Sequence, residues 1–76
     1  MSETHLDLRG LKCPLPALKT RKALKNAAPG AVFVVTCTDP MAVIDIPHLL
    51  GETKDRLLAQ ESEGDIVVFR IEKAAP

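Results

Sequence analysis

The chain reads as a two-layer α/β sandwich of the α+β kind, ordered β-α-β-α-β-β, with a four-stranded mixed sheet and two helices on one face. Three observations predict it. Alternating or β-branched apolar runs fall at residues 6–9, 32–35, 57–61 and 66–72, and two stretches of helical periodicity separate the first three. Prolines and glycines sit at the borders of these runs, apart from Pro47. The length of 76 residues, 46% of them apolar, suits one compact domain over 1–76, with 1–4 and 74–76 as loose tails. Right-handed crossovers then carry both helices to the same face of the sheet.

Each element has its own signal. Leu6-Asp7-Leu8-Arg9 alternates apolar and polar, and Gly10 ends it. Pro16 to Ala28 is helical: Ala17, Thr20, Leu24, Ala27 and Ala28 share one face, Lys19, Lys22 and Asn26 the other, and Pro29-Gly30 stops it. Val32-Phe33-Val34-Val35 is an unbroken apolar run, as expected of a strand covered on both faces. Thr38-Asp39-Pro40 opens a second helix, with Asp39 as N-cap and Pro40 at the first helical position. Met41, Val43, Ile44, Ile46, Leu49 and Leu50 supply its apolar surface. Pro47 predicts a kink or restart, and Gly51 a stop. Leu57–Glu61 and Ile66–Glu72 form a final hairpin across Ser62-Glu63-Gly64-Asp65.

Composition narrows the function. Aromatic residues are 3%, with no Trp or Tyr, so the core is aliphatic and base-stacking surfaces are nearly absent. Net charge is zero but divided: residues 1–30 carry six basic and two acidic side chains, and residues 31–76 carry four basic and eight acidic. The split suits either plain solvated faces or a basic docking face on the first helix for an acidic partner or RNA. No apolar run approaches the roughly 20 residues that span a bilayer. The start, Met-Ser-Glu-Thr-His, lacks a signal peptide's basic and apolar regions, so a cytoplasmic protein with reduced thiols and no Cys13–Cys37 disulfide is expected. His5 and His48 have no partner at a metal-binding spacing, and both read as surface residues. No glycine-rich phosphate loop or dinucleotide fingerprint occurs, and no metal or cofactor is expected.

The chemistry concentrates in Gly10-Leu11-Lys12-Cys13-Pro14-Leu15-Pro16, between the first strand and first helix. Pro16 suits the first helical turn, and Leu15, preceding a proline, is pushed out of helical dihedrals. Cys13 therefore stands just ahead of the helix, in a loop stiffened by Pro14 and Pro16. The helix dipole, with Lys12 and Arg9, is expected to favour a thiolate there, modestly, since the two prolines remove two backbone donors at this helix end. A buried packing role is the alternative for Cys13, and spacing alone leaves both open. Cys37, ending the apolar run, reads as a packing residue. Asp39 reads as an N-cap and Asp45 as solvated or helix-stabilising, although either could approach Cys13 closely enough to tune it.

The stretch from Leu6 to Pro16, with Cys-Pro-x-Pro at Cys13–Pro16, resembles the signature of the TusA/SirA-like family of sulfur carriers. Thr20-Arg21-Lys22-Ala23-Leu24, Thr38-Asp39-Pro40 and Asp45-Ile46-Pro47 extend the resemblance, which covers Leu6 to Ile71. It implies sulfur held as a persulfide on Cys13, supported by Gly10, Pro14 and Pro16. It also implies a cysteine desulfurase or rhodanese-like donor and a DsrE/TusD-like or other acceptor, in tRNA thiolation, molybdenum-cofactor assembly or sulfur oxidation. Arg9, Lys12, Arg21, Lys22 and Lys25 are the candidate docking residues. A small RNA-binding module and a thiol-based regulatory module are the competing readings. A monomer is expected, binding neither nucleic acid nor membrane directly.

Overall fold

The strand Val32–Cys37 (β2) organises the molecule. In the computed structural model, which describes residues 3–74, it pairs in parallel with Glu3–Leu8 (β1) on one side and antiparallel with Ile66–Glu72 (β4) on the other. Arg56–Glu63 (β3) pairs antiparallel with β4 and forms the far edge, giving the order β1-β2-β4-β3. Helices Leu15–Lys25 (α1) and Ala42–Thr53 (α2) complete the expected β-α-β-α-β-β chain.

Strand alternation decides which residues meet the helices. Phe33, Val35 and Cys37 of β2 lie opposite Ile71, Phe69 and Val67 of β4. These six are buried in one cluster with Leu8, Leu24, Ala42, Ile46 and Leu50, so both helices cover the same face. Fully burying each large aliphatic or phenyl group here contributes roughly 1.5–3 kcal/mol. Val34, of opposite parity, is also buried, as the unbroken apolar run of β2 predicts.

Several boundaries differ from the sequence reading. β1 ends at Leu8 and begins at Glu3, because its ladder with β2 starts at Glu3 opposite Val32. Of the residues assigned to loose tails, Glu3 and Thr4 are thus strand, and the Ala74 amide donates to Asp55 Oδ1 at 2.9 Å; residues 1, 2, 75 and 76 lie outside those described. α1 stops at Lys25, short of Pro29-Gly30. The Asn26 amide and its side-chain Nδ2 both donate to the Lys22 carbonyl, closing the last turn early.

α2 starts at Ala42, not Pro40, with Met41 in the capping position. It runs through Pro47 without a restart. Pro47, midway along this 12-residue helix, deletes a single internal hydrogen bond, and the burial of Ile46, Leu49 and Leu50 holds the rest. Gly51 lies inside α2. Termination falls to Lys54, which takes the left-handed conformation at φ 68° and donates its amide to the Leu50 carbonyl.

β3 extends over Arg56–Glu63, beyond the expected Leu57–Glu61, with an irregularity between Leu57 and Ala59. The hairpin tightens to Gly64-Asp65, with Glu63 opposite Ile66 and Gly64 at φ 59°. Between α2 and β3, Asp55 is buried, with Lys73 Nζ 3.8 Å from its carboxylate.

Candidate functional site

Neighbouring parallel strands place their C-terminal loops side by side. Leu8 lies opposite Cys37, so the connection from β1 to α1 emerges next to that from β2 to α2. Three hydrogen bonds stitch them together. The Gly10 amide donates to Thr38 Oγ1 at 2.8 Å, with Gly10 at φ 83°, a left-handed turn that glycine adopts without strain. The Cys13 amide donates to Asp39 Oδ2 at 2.5 Å, and the Cys13 thiol donates to Asp45 Oδ2 at 2.9 Å. The Asp39 Oδ1 atom meanwhile accepts the Met41 amide at 3.2 Å, fixing the approach to α2.

Cys13 is exposed at this junction, and Cys37 is sealed in the core; both are free thiols. Pro14 occupies the position capping α1, the Cys13–Pro14 peptide is cis, and Pro16 is buried within the first turn. The thiol thus stands just ahead of the helix, as the sequence indicates.

Its electrostatics depart from expectation. The hydrogen bond that the thiol donates to Asp45 is the main influence, and it raises the Cys13 pKa above the usual thiol value; desolvation and the charges of Asp45 and Asp39 act in the same direction. The helix terminus offers little in return. The Leu15 amide is engaged by the Lys12 carbonyl at 2.8 Å, and Pro14 and Pro16 carry no N–H at all. Nor does Arg9 assist, because its guanidinium is held by Asp7 at 2.8 and 2.9 Å. That pairing also lowers the Asp7 carboxyl to about 2. The resting sulfur is therefore a thiol held by a carboxylate. In the core, burial pushes Cys37 up to about 11, with a smaller push from the Asp39 charge.

Cys13 opens onto two shallow depressions. One, of about 290 Å³, is lined by Gly10, Leu11, Lys12, Cys13, Thr38, Asp39 and Pro40. The other, of about 210 Å³, runs between the helices past Ala17, Leu18, Arg21, Asp45, His48, Leu49 and Glu52. Of the candidate docking residues, Lys12 and Arg21 share these walls with the thiol. Lys22 and Lys25 occupy the last turn of α1. Lys25 is ten residues along from Leu15, about 15 Å down the axis. Exposed apolar side chains flank the site: Leu15 and Leu18 on α1, Met41 and Ile44 by the start of α2. His5 and His48 are surface residues, beside Glu3 and Glu52.

The fold and site define a small α+β domain that presents one exposed thiol at the head of a helix. Comparison with known proteins agrees. The family model described as Sulfurtransferase TusA matches residues 4–73. The chain is 38% identical over 72 residues to the putative sulfur carrier protein YrkI of Bacillus subtilis, covering 95% of this chain and 96% of that one. It is 36% identical over 72 residues to the sulfur carrier protein TusA of Allochromatium vinosum, covering 95% of each. The chain belongs to the TusA family of sulfur carriers. Among the described residues, no helix is long and apolar enough to cross a membrane.

Proposed function

We propose that the protein carries sulfur as a persulfide on Cys13, taking it from a cysteine desulfurase or rhodanese-like donor and delivering it to a DsrE/TusD-like or other acceptor protein. The observation that carries this reading is the contrast between the two cysteines. Cys13 is exposed where two loops meet, and Cys37 is buried. In acceptance, Cys13 Sγ attacks the terminal sulfur of the donor persulfide; the Sγ–S bond forms, the donor S–S bond breaks, and the donor leaves as a thiol. Delivery is the same exchange with an acceptor thiol attacking. No oxidant or reductant is consumed.

The acceptor belongs to tRNA thiolation, molybdenum-cofactor assembly or sulfur oxidation, all of which draw on protein-bound sulfur. The competing RNA-binding reading gains nothing from the surface, since the two phenylalanines, Phe33 and Phe69, are both in the core. Incubation with cysteine and a cysteine desulfurase, followed by mass spectrometry, is expected to add one sulfur atom at Cys13. Cys13→Ser is expected to add none. Loading that survives in that variant overturns the assignment.

A further inference from the structure

The carboxylate beside the thiol has a use in this exchange. We propose that Asp45 is the proton-transfer group of the carrier: it holds the Cys13 proton at rest, accepts it as Sγ attacks the donor, and returns it to the thiolate that departs. This rests on the carrier reading above. The geometry supports Asp45 over the other carboxylate at the site. Asp39 has both oxygens engaged by backbone amides, of Cys13 and Met41, and so holds the loops. Asp45 Oδ2 instead meets Sγ itself, at 2.9 Å, within reach for direct proton transfer. Asp45 lies in the first turn of α2, so the helix backbone fixes its carboxylate beside the loop that carries Cys13.

The step balances. Sγ–H and the donor R–S–SH become Sγ–SH and R–SH: the Sγ proton passes to Asp45 as the Sγ–S bond forms, the electron pair of the broken S–S bond leaves on the R sulfur, and Asp45 protonates it. In delivery the attacking acceptor thiol gives its proton to Asp45, and Asp45 passes it to Cys13 Sγ as that sulfur leaves. The other charged groups around the sulfur are Lys12 from the loop, Asp39 from the second loop, Arg21 from α1, and His48 and Glu52 from α2. The arrangement keeps the empty carrier as a thiol, quiet toward chance electrophiles, and mobilises the proton only when a sulfur donor is in place.

Asp45→Asn, nearly the same shape, separates proton transfer from charge and from packing. Two reactions of Cys13 are compared in wild type and variant: alkylation by iodoacetamide at pH 7, and sulfur uptake from glutathione persulfide. Loss of the carboxylate is expected to speed alkylation several-fold, because the thiol then gives up its proton more readily. Uptake is expected to slow by about a hundredfold, the low end of a general acid–base contribution. Asp45→Glu, which restores a carboxylate, should recover part of the uptake. If both reactions speed up, Asp45 is only an electrostatic brake and the proposal fails; it fails equally if both slow together or neither changes. A wild-type protein that takes no sulfur from the persulfide, while its alkylation still responds to Asp45→Asn, overturns the carrier reading instead and removes the proposal with it.

Discussion

Asp39 ties Cys13 to the start of α2: its Oδ2 accepts the Cys13 amide at 2.5 Å while its Oδ1 accepts the amide of Met41 at 3.2 Å. One side chain therefore sets the position of the reactive loop relative to the helix that carries Asp45. Asp39 is 26 residues from Cys13 in sequence.

Asp39→Ala releases both amides. With the site open to solvent, the expected loss of stability is about 1 kcal/mol, the typical net worth of such hydrogen bonds and caps. Urea denaturation measures it. Hydrogen exchange at the Cys13 amide should rise far more than exchange at Val35 or Phe69, in the core. Equal protection of Cys13 in variant and wild type would show that the clamp is dispensable.

The two thiols should separate cleanly by reactivity and by pH. In the folded protein a thiol reagent at pH 8 is expected to modify Cys13 alone, and in denaturant both cysteines. Both native thiols hold their protons more tightly than ordinary thiols do. The unfolded chain therefore ionises first, near pH ~8.5, and binds fewer protons than the native state above that pH. Stability contributed by Cys37 is thus complete below about pH 8.5 and is lost as pH rises toward about 11, where the native thiol itself ionises. The urea midpoint should fall between pH 7 and pH 10, and fall less steeply in Cys37→Ala. A Cys37→Ala slope equal to that of the wild type would contradict the burial argument.

Lys54→Gly should stabilise the protein by roughly 1 kcal/mol. Lys54 closes α2 at φ 68°, a region that costs a residue with a Cβ about 1–2 kcal/mol and glycine almost nothing. The greater freedom of glycine in the unfolded chain takes back part of the gain. Thermal denaturation monitored by circular dichroism reads the difference. A lower midpoint for the glycine variant would refute the strain argument.

Charge reversal on α1 distinguishes the docking candidates. On the proposed relay, Arg21→Glu should slow transfer from a partner protein several-fold at low ionic strength, with the difference shrinking as salt is added. Lys25→Glu, about 15 Å down α1 from Leu15, should have a smaller effect. Equal effects of the two reversals would mean that overall charge matters and the groove beside Cys13 does not.

The parts of the structure legible in the sequence are those set by local patterning. Alternation and β-branching located all four strands, helical spacing located both helices, and Pro14 and Pro16 placed Cys13 outside α1. Boundaries set by pairing were less legible. Arg56, Ser62 and Glu63 fall outside the expected Leu57–Glu61, yet they lie opposite Glu72, Val67 and Ile66 because β4 provides the ladder and an edge strand tolerates polar side chains. The stop of α2 was misplaced because Gly51 has the right residue type while Lys54 has the required dihedral. In the site, the place of Cys13 just ahead of α1 was legible from Pro14 and Pro16; its hydrogen bond to Asp45 was not. Asp45 is 32 residues from Cys13, and their contact depends on the parallel pairing of β1 and β2. Pro14 and Pro16, the residues that position the loop, also remove amides that would attract an anion, a cost that was legible in the sequence.

The burial of Cys37 bears on how long a cargo lasts. A persulfide within reach of a second thiol in the same molecule destroys itself: the two cysteines close a disulfide ring and the outer sulfur is lost as hydrogen sulfide. Here the second thiol lies fully enclosed under the sheet and gives up its proton only at about 11. On the proposed chemistry, a loaded molecule has no internal route of discharge, and its sulfur departs only in an encounter with another thiol.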